Sequence, residues 1–235
     1  MTLNDKIRVN QSGEFFMYNR AMLPVVFERS FYAQDPISVA RGLLGTRLVR
    51  CLDGERLAGL ITETEAYWGE ADLACHARAG LTPRTQVMYG PPGFSYVYFN
   101  YGVHWMLNVV TEPEGRPSAV LIRGMRPVEG LERMAALRPP PVGRASRPTI
   151  PGGHIIPGWT DGPAKLCQAL AITGAFNGRD LCDPTGELWI EPTAGFPAEQ
   201  VQVGPRVGIN SVPEPWKSQP WRFWVPDGSA LSKRR

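Results

Sequence analysis

Hydrophobic positions recur along this chain mostly with the two-residue period of β-strands, in short runs separated by glycine and proline. The clearest case is a predicted hairpin, in which strands at 95–99 and 103–110 flank the turn Asn100-Tyr101-Gly102. A three-residue turn that ends in glycine suits a bulged hairpin. Further strands are predicted at 46–51, 57–66, 119–123, 188–190, 201–209 and 221–225.

Three stretches carry the spacing of helices instead. The first begins at Asp35 or Pro36, with aspartate at the cap and proline in the first turn, and ends at Gly45. Val39, Leu43 and Leu44 lie on one face of it. The other two helices are predicted at 129–137 and 164–173.

Together these elements predict a single mixed α+β domain over residues 31–235, with a curved, largely antiparallel sheet, a protruding β-hairpin and peripheral helices. Residues 1–30 show no sustained period, and we expect a poorly ordered N-terminal arm. Residues 138–162 are rich in proline and glycine and could divide two domains. Neither flank looks able to fold alone, so we interpret this segment as a loop within one domain.

Composition removes several classes of protein. The chain has 235 residues, of which 43% are hydrophobic and 20% charged, so it is too apolar for a disordered protein. Its apolar runs are too short to cross a bilayer, and the first ten residues lack the apolar core of a secretion signal. The four cysteines form no CxxC pair, and we expect free thiols and no metal site.

The basic residues are mostly arginine. Only four of the 25 lysines and arginines are lysine, and six arginines lie in the stretch 123–147 against two glutamates. The planar fork of arginine suits phosphate and base edges, although a GC-rich genome would also raise the arginine content. The local excess of positive charge indicates a polyanionic partner.

Two carboxylates stand out in the strand predicted at 57–66. If its side chains alternate regularly, Ile61, Glu63, Glu65 and Tyr67 share one face. This face could simply be solvated. Alternatively, one carboxylate is held in a pocket as a general base, or the two act together in a glycoside hydrolase. Spacing does not choose between Glu63 and Glu65.

Tyr101 occupies the middle of the predicted hairpin turn, where a bulky aromatic side chain in solvent contributes little to the fold. It could fold back onto its own domain. The alternative is a wedge that enters between the stacked bases of a nucleic acid. Tyr96 and Tyr98 share a face of the same hairpin and could line a pocket.

Several short motifs follow one another in a specific order: Glu63-Thr-Glu-Ala-Tyr67, Ala74-Cys-His-Ala-Arg78, Thr82-Pro-Arg84, Pro92-Gly93, Tyr96-Val-Tyr98, Tyr101-Gly102, Asn108, Leu121-Ile-Arg123, Pro127-Val-Glu-Gly130 and Gly162-Pro-Ala-Lys-Leu-Cys-Gln-Ala-Leu170. The ordered set resembles the alkyladenine (3-methyladenine) DNA glycosylase family. The resemblance covers about residues 41–225.

The resemblance implies catalytic roles for two residues. Glu65 matches the family's catalytic glutamate, which activates water for attack on C1′ of a flipped nucleotide. Arg123 matches an arginine near that water and the phosphate of the lesion. Lys165 would be the natural candidate for Schiff-base chemistry, but the family resembled is monofunctional and uses water.

The remaining matched residues would bind DNA. Tyr67, His76 and Tyr98 match the residues that enclose the flipped purine, and Asn108 matches a pocket-floor residue that disfavours guanine. The two residues expected to contact the DNA stack are Tyr101, which would fill the vacated space, and Met88, which would lie near the opposite strand.

The implied activity is hydrolytic excision of alkylated purines of the 3-methyladenine and 7-methylguanine type from double-stranded DNA, leaving an abasic site, with hypoxanthine or ethenoadenine as further candidates. We expect no cofactor, no membrane association and a monomer, located in the cytoplasm or at the nucleoid if the source is bacterial. The rival interpretation is a module of the same fold that binds damaged nucleic acid without catalysis. No role is predicted for His154.

Overall fold

The computed structural model describes residues 6–9, 15–18, 23–138 and 159–226. Most of the loop predicted at 138–162 lies outside the described residues, and so does His154. Within the predicted arm, Lys6–Val9 (β1) and Phe15–Tyr18 (β2) form an antiparallel pair. Towards the end of the arm, Phe27 packs against the main core.

Within the described residues, four short α-helices pack against the rest of the domain. They are Arg29–Tyr32 (α1), Pro36–Gly42 (α2), Leu131–Leu137 (α3) and Pro163–Ala169 (α4). The predicted start of α2 is confirmed: the Asp35 carboxylate accepts hydrogen bonds from the N–H groups of Ile37 and Ser38, both at 3.0 Å. The helix ends at Gly42, three residues before the predicted Gly45.

The remaining strands form one eight-stranded antiparallel sheet, which confirms the predicted α+β class. Its strands are Arg47–Leu52 (β3), Glu55–Tyr67 (β4), Ser95–Asn100 (β5), His104–Thr111 (β6), Ser118–Glu129 (β7), Leu188–Glu191 (β8), Gln202–Gly204 (β9) and Arg222–Trp224 (β10). The order of neighbours is β5-β6-β7-β4-β10-β9, and β3 pairs with both β4 and β8. The predicted hairpin around Tyr101 is confirmed as β5 and β6.

The long strand β4 organises the domain. Its first half pairs with β3, its last residues pair with β10, and β7 runs along its other edge. The main core lies between this sheet and the helices, with fully buried side chains that include Val39, Leu43, Leu107, Ile122, Leu166 and Leu170. The carboxyl end of β4, which carries Glu63 and Glu65, is therefore fixed by neighbours on both edges.

An irregularity in β4 changes the face that its residues present. The register between β4 and β7 shifts on both sides of Glu63, so that Thr62 and Arg123 lie outside the regular pairs. Ile61 is fully buried in the main core, and so is Ala66. The prediction that Ile61 shares a face with Glu63 and Glu65 is therefore wrong, because the bulge reverses the alternation after Ile61.

Two predicted elements are shorter than expected. The helix predicted at 164–173 ends at Ala169, because the chain turns at Ala171, where φ is +51°. The strand predicted at 201–209 is reduced to Gln202–Gly204. Proline at the next position has no N–H to donate, and the chain beyond it forms a loop instead.

Candidate active site

Glu65 is a fully buried carboxylate near the end of β4. Its Oε1 accepts a hydrogen bond from the backbone N–H of Val207 at 2.7 Å, and its Oε2 accepts one from the hydroxyl of Tyr67 at 2.8 Å. The guanidinium of Arg123 lies 3.3 Å from Oε1 and 3.4 Å from Oε2. A carboxylate has about four acceptor positions, so these partners leave little freedom of orientation.

Glu63 has a different environment, two residues earlier. Its Oε1 accepts from Nε of Arg123 at 2.8 Å and from Nε of Arg222 at 2.7 Å. Glu63 thus pairs with two arginines and holds Arg123 beside Glu65. The two carboxylates share one arginine on one side of the sheet, which does not fit a pair that flanks a sugar from opposite faces.

Burial decides the acidity of Glu65. Because the carboxyl is removed from water, its pKa is raised above the ordinary value for glutamate. The charge of Arg123 opposes this shift most strongly, followed by the hydrogen bonds from Val207 and Tyr67, which stabilise the ionised form. Such a carboxylate is more basic than an exposed one and yet remains paired, as a general base requires.

An aromatic cluster lies beside this carboxylate. Buried Tyr96 packs with half-buried Tyr67 and Tyr98 in one hydrophobic cluster, separate from the main core. The ring of His76 meets the ring of Tyr98 edge-on, with 4.4 Å between their centroids, and its Nδ1 lies 2.9 Å from the Tyr96 hydroxyl. The structure therefore brings three residues predicted to enclose a base, Tyr67, His76 and Tyr98, into one region.

His76 is a neutral group at physiological pH. Burial lowers its pKa to about 4, and the nearby charges of Arg84 and Arg78 add to the shift. Arg84 Nη2 lies 3.4 Å from Nε2 of His76, and its guanidinium lies over the ring of Tyr98 at 5.3 Å. A neutral imidazole can present either a donor or an acceptor to a bound base.

Asn108 is buried on β6, directly opposite Tyr96. Its Nδ2 donates a hydrogen bond to the carbonyl oxygen of Tyr96 at 3.0 Å. The amide is thus tied to the strand that carries Tyr96 and Tyr98, and it cannot rotate freely away from an approaching base.

The tip of the β5–β6 hairpin carries Tyr101, which is 88% exposed. Its φ of +49° places it in the left-handed region that favours glycine, although it is a bulky residue. The ring does not fold back onto its own domain, which removes one of the two interpretations of this residue. An exposed aromatic side chain at a projecting turn is well placed to contact a partner.

Met88 is not placed as its predicted role requires. It is 1% exposed and packs within the cluster of Tyr96 and Cys75. A thioether below the surface cannot reach the opposite DNA strand from this position. The prediction of a DNA-intercalating Met88 is therefore corrected to a packing role beneath the aromatic cluster.

Sequence reasoning missed four residues that complete the site. Val207 supplies the N–H for Glu65, Arg222 pairs with Glu63, and Arg206 and Asp72 form a buried ion pair beneath them. Arg206, Val207 and Arg222 lie more than 140 positions from Glu65 in sequence, which hid them and with them the partner of Asp72. For Arg206 and Val207, the sequence feature that could have indicated a role is a charged residue between proline and valine in the segment Gly204-Pro205-Arg206-Val207-Gly208.

Lys165 and one cavity are further features of the described structure. Lys165 Nζ on α4 is 2.6 Å from Oδ1 of Asp161, which lies just before the helix. A cavity of about 190 Å³ lies between the hairpin and α4 and includes Trp105 and Cys167 in its lining, but none of the candidate residues. Within the described ranges, no group of three His, Cys, Asp or Glu side chains could hold a metal ion, and no helix is long and apolar enough to cross a membrane.

A buried, arginine-paired carboxylate beside an aromatic cluster, together with an exposed tyrosine on a projecting hairpin, suits a hydrolase that acts on a nucleobase. The comparisons with known proteins agree. The model of the methylpurine-DNA glycosylase family matches residues 30–229. The chain belongs to this family and is a DNA glycosylase.

Similar proteins come from distant organisms. A protein of Myxococcus xanthus named "Putative 3-methyladenine DNA glycosylase" is 46% identical over 204 residues, which are 87% of this chain and 92% of that protein. Proteins of the same name from Methanocella arvoryzae and Desulfitobacterium hafniense are 45% and 43% identical. Those matches cover 89% and 87% of this chain and 96% and 97% of the two relatives.

Proposed function

We propose that this glycosylase flips alkylated purines of the 3-methyladenine and 7-methylguanine type out of double-stranded DNA and removes them by hydrolysis, leaving an abasic site. We extend the proposal to two neutral purines, hypoxanthine and ethenoadenine, and to a monomeric enzyme. The observation that carries the proposal is the environment of Glu65, a buried carboxylate paired with Arg123 beside an aromatic cluster.

Glu65 acts as the general base for the attacking water. The water oxygen forms a bond to C1′ while the N-glycosidic bond breaks, and the electron pair of that bond leaves with the purine. Glu65 takes the proton of the water, and its negative charge offsets the positive charge that develops on the sugar. Arg123 holds the carboxylate through contacts of 3.3 and 3.4 Å.

The aromatic side chains bind the purine. Stacking tolerates different bases and is strengthened by the positive charge of an alkylated ring, which suits Tyr67, His76 and Tyr98. Asn108 would disfavour guanine by crowding its exocyclic amino group. Tyr101 would occupy the space that the flipped nucleotide leaves. Lesions that pair poorly would be favoured, because they cost less energy to flip.

The test is a single-turnover assay of wild type and Glu65→Gln on methylated DNA that releases 3-methyladenine and on a duplex with one hypoxanthine. We expect the substitution to slow base release by about 10²- to 10⁴-fold, the usual contribution of a general base, with damaged-DNA binding retained. Alkali treatment reveals the abasic sites. Glu129→Gln is the matched control, because this glutamate pairs with Arg56 near the other end of β4.

Three outcomes would contradict the proposal in different ways. Equal release by wild type and Glu65→Gln would place the chemistry elsewhere. Binding without release by wild type would leave a module that recognises damage. Release of methylated purines but not of hypoxanthine would confine the activity to cationic lesions.

A further inference from the structure

Arg206 and Asp72 form an ion pair in which both side chains are fully buried. Nη1 and Nη2 of Arg206 donate to Oδ2 and Oδ1 of Asp72 at 2.5 and 2.9 Å, so the two groups meet in a planar, two-point contact. Removing two charges from water is costly even when they are paired, and hydrophobic residues often fill such a space equally well. A pair of this kind therefore calls for an explanation beyond stability.

The pair also binds the backbone of separate segments. Arg206 donates to the carbonyl oxygen of Ala66 at 3.0 Å and to that of Trp216 at 3.1 Å. Asp72 accepts from the N–H of Trp68 at 3.1 Å. The ion pair thus ties the end of β4, immediately after Glu65, to the loop that leads to His76 and to the loop after β9.

Two of the hydrogen bonds to Glu65 depend on where Arg206 lies. The adjacent residue, Val207, donates its N–H to Oε1 of Glu65 at 2.7 Å. The guanidinium of Arg206 also lies 4.8 Å from the ring centroid of Tyr67, whose hydroxyl donates to Oε2 at 2.8 Å. Arg206 itself has no hydrogen bond to Glu65 among the described contacts, so it acts through these two neighbours.

We propose that Arg206 and Asp72 are positioning residues for the glycosylase reaction, which hold the N–H of Val207 and the hydroxyl of Tyr67 against Glu65 and so keep the general base aimed at the attacking water. This inference rests on the proposed role of Glu65. Neither residue of the pair contacts the reacting atoms.

The acidity of Glu65 depends on every charged group that surrounds it. Hydrogen bonds from Val207 and Tyr67 lower its pKa against the effect of burial. The loss of either bond therefore raises that pKa further and moves the acid limb of the rate–pH profile to higher pH. The charged and titratable groups that face Glu65 are Glu63 and Tyr67 on β4, Tyr98 on β5, Arg123 on β7, Arg222 on β10 through Glu63, and Arg206 through Tyr67.

The experiment measures single-turnover release of 3-methyladenine from methylated duplex DNA as a function of pH. Arg206→Lys keeps the charge but cannot make the two-point contact. The double variant Arg206→Met with Asp72→Asn leaves no uncompensated buried charge, and it therefore remains informative if the single variant does not fold. The matched control is Arg56→Lys, which weakens the Arg56–Glu191 ion pair near the other end of β4.

We expect the acid limb to move up by about one pH unit in both Arg206 variants, the size of a lost hydrogen bond to a charged group, and to stay in place in Arg56→Lys. On the acid limb, the rate of base release at a given pH should therefore be about tenfold slower than in wild type, and at higher pH it should return to the wild-type rate. A rate that falls equally at every pH, with an unchanged midpoint, would show a merely structural pair and overturn the inference. If wild type releases no base, the proposed function fails instead, and the two failures are distinguishable.

Discussion

Replacing Tyr101 with alanine should impair base flipping and leave the stability of the fold almost unchanged. The side chain is 88% exposed at the hairpin tip, so little contact with the rest of the domain is lost. Alanine keeps a Cβ at the same positive φ, and the backbone strain at this turn is therefore unchanged. The free energy of unfolding should change by no more than about 0.5 kcal/mol, as for other surface substitutions.

On damaged duplex DNA the effect should be much larger. The stack between a base and an aromatic side chain contributes about 1–3 kcal/mol, which corresponds to about 5- to 150-fold in affinity. A single strand has no base pair to open and no space to fill, so binding and excision of the same lesion there should be nearly unaffected.

The assay compares the affinity for a duplex and for a single strand, each with one hypoxanthine, in the Glu65→Gln background so that no turnover occurs. Thermal unfolding of Tyr101→Ala supplies the stability measurement. Val25→Ala, at a position that is 73% exposed, controls for the loss of an exposed apolar side chain. Equal losses of affinity on both substrates, or a marked drop in melting temperature, would refute the reasoning.

Two further predictions concern the pocket. The rate of base release should rise with pH through the pKa of Glu65, which burial raises. His76 stays neutral over this range because its pKa is lowered to about 4. The rate–pH profile of His76→Gln should therefore keep the wild-type midpoint. A shifted midpoint would show that the acid limb of the profile reports the ionisation of His76 instead. Asn108→Ala removes the 3.0 Å hydrogen bond to the buried carbonyl of Tyr96, which should cost about 1–3 kcal/mol in unfolding free energy and allow detectable release of normal guanine. Unaltered guanine discrimination would remove Asn108 from the specificity determinants.

Local sequence patterns were sufficient for much of the fold. The cap at Asp35 and the hairpin turn around Tyr101 act over a few residues and are confirmed, although the turn comprises residues 101–103 because Asn100 pairs with His104. The bulge around Glu63 could not be predicted, because it is set by the pairing of β4 with β7, about sixty residues away. One extra residue in that pairing reverses the face of everything beyond it.

In the candidate site, too, local features could be predicted from the sequence and long-range contacts could not. Its carboxylates and aromatic residues were visible as unusual residues in short segments, whereas the choice of Glu65 over Glu63 came only from the family resemblance. In the structure the two differ by their surroundings: Glu65 is fully buried, and Val207 donates to it. Apart from Tyr67, the hydrogen-bond and ion-pair partners of Glu65 lie more than fifty positions away, which no local pattern records.

The distance between Glu65 and its partners along the chain has a consequence for folding. The β-sheet around the core can form from β3 to β7, but the carboxylate is complete only when β10 pairs with β4 and the segment around Val207 docks. Contacts between residues so far apart in sequence close late, because they carry a large loop-closure cost. Catalytic competence should therefore be one of the last properties that the folding chain acquires, and a chain arrested before this docking would be compact but unable to cut a glycosidic bond.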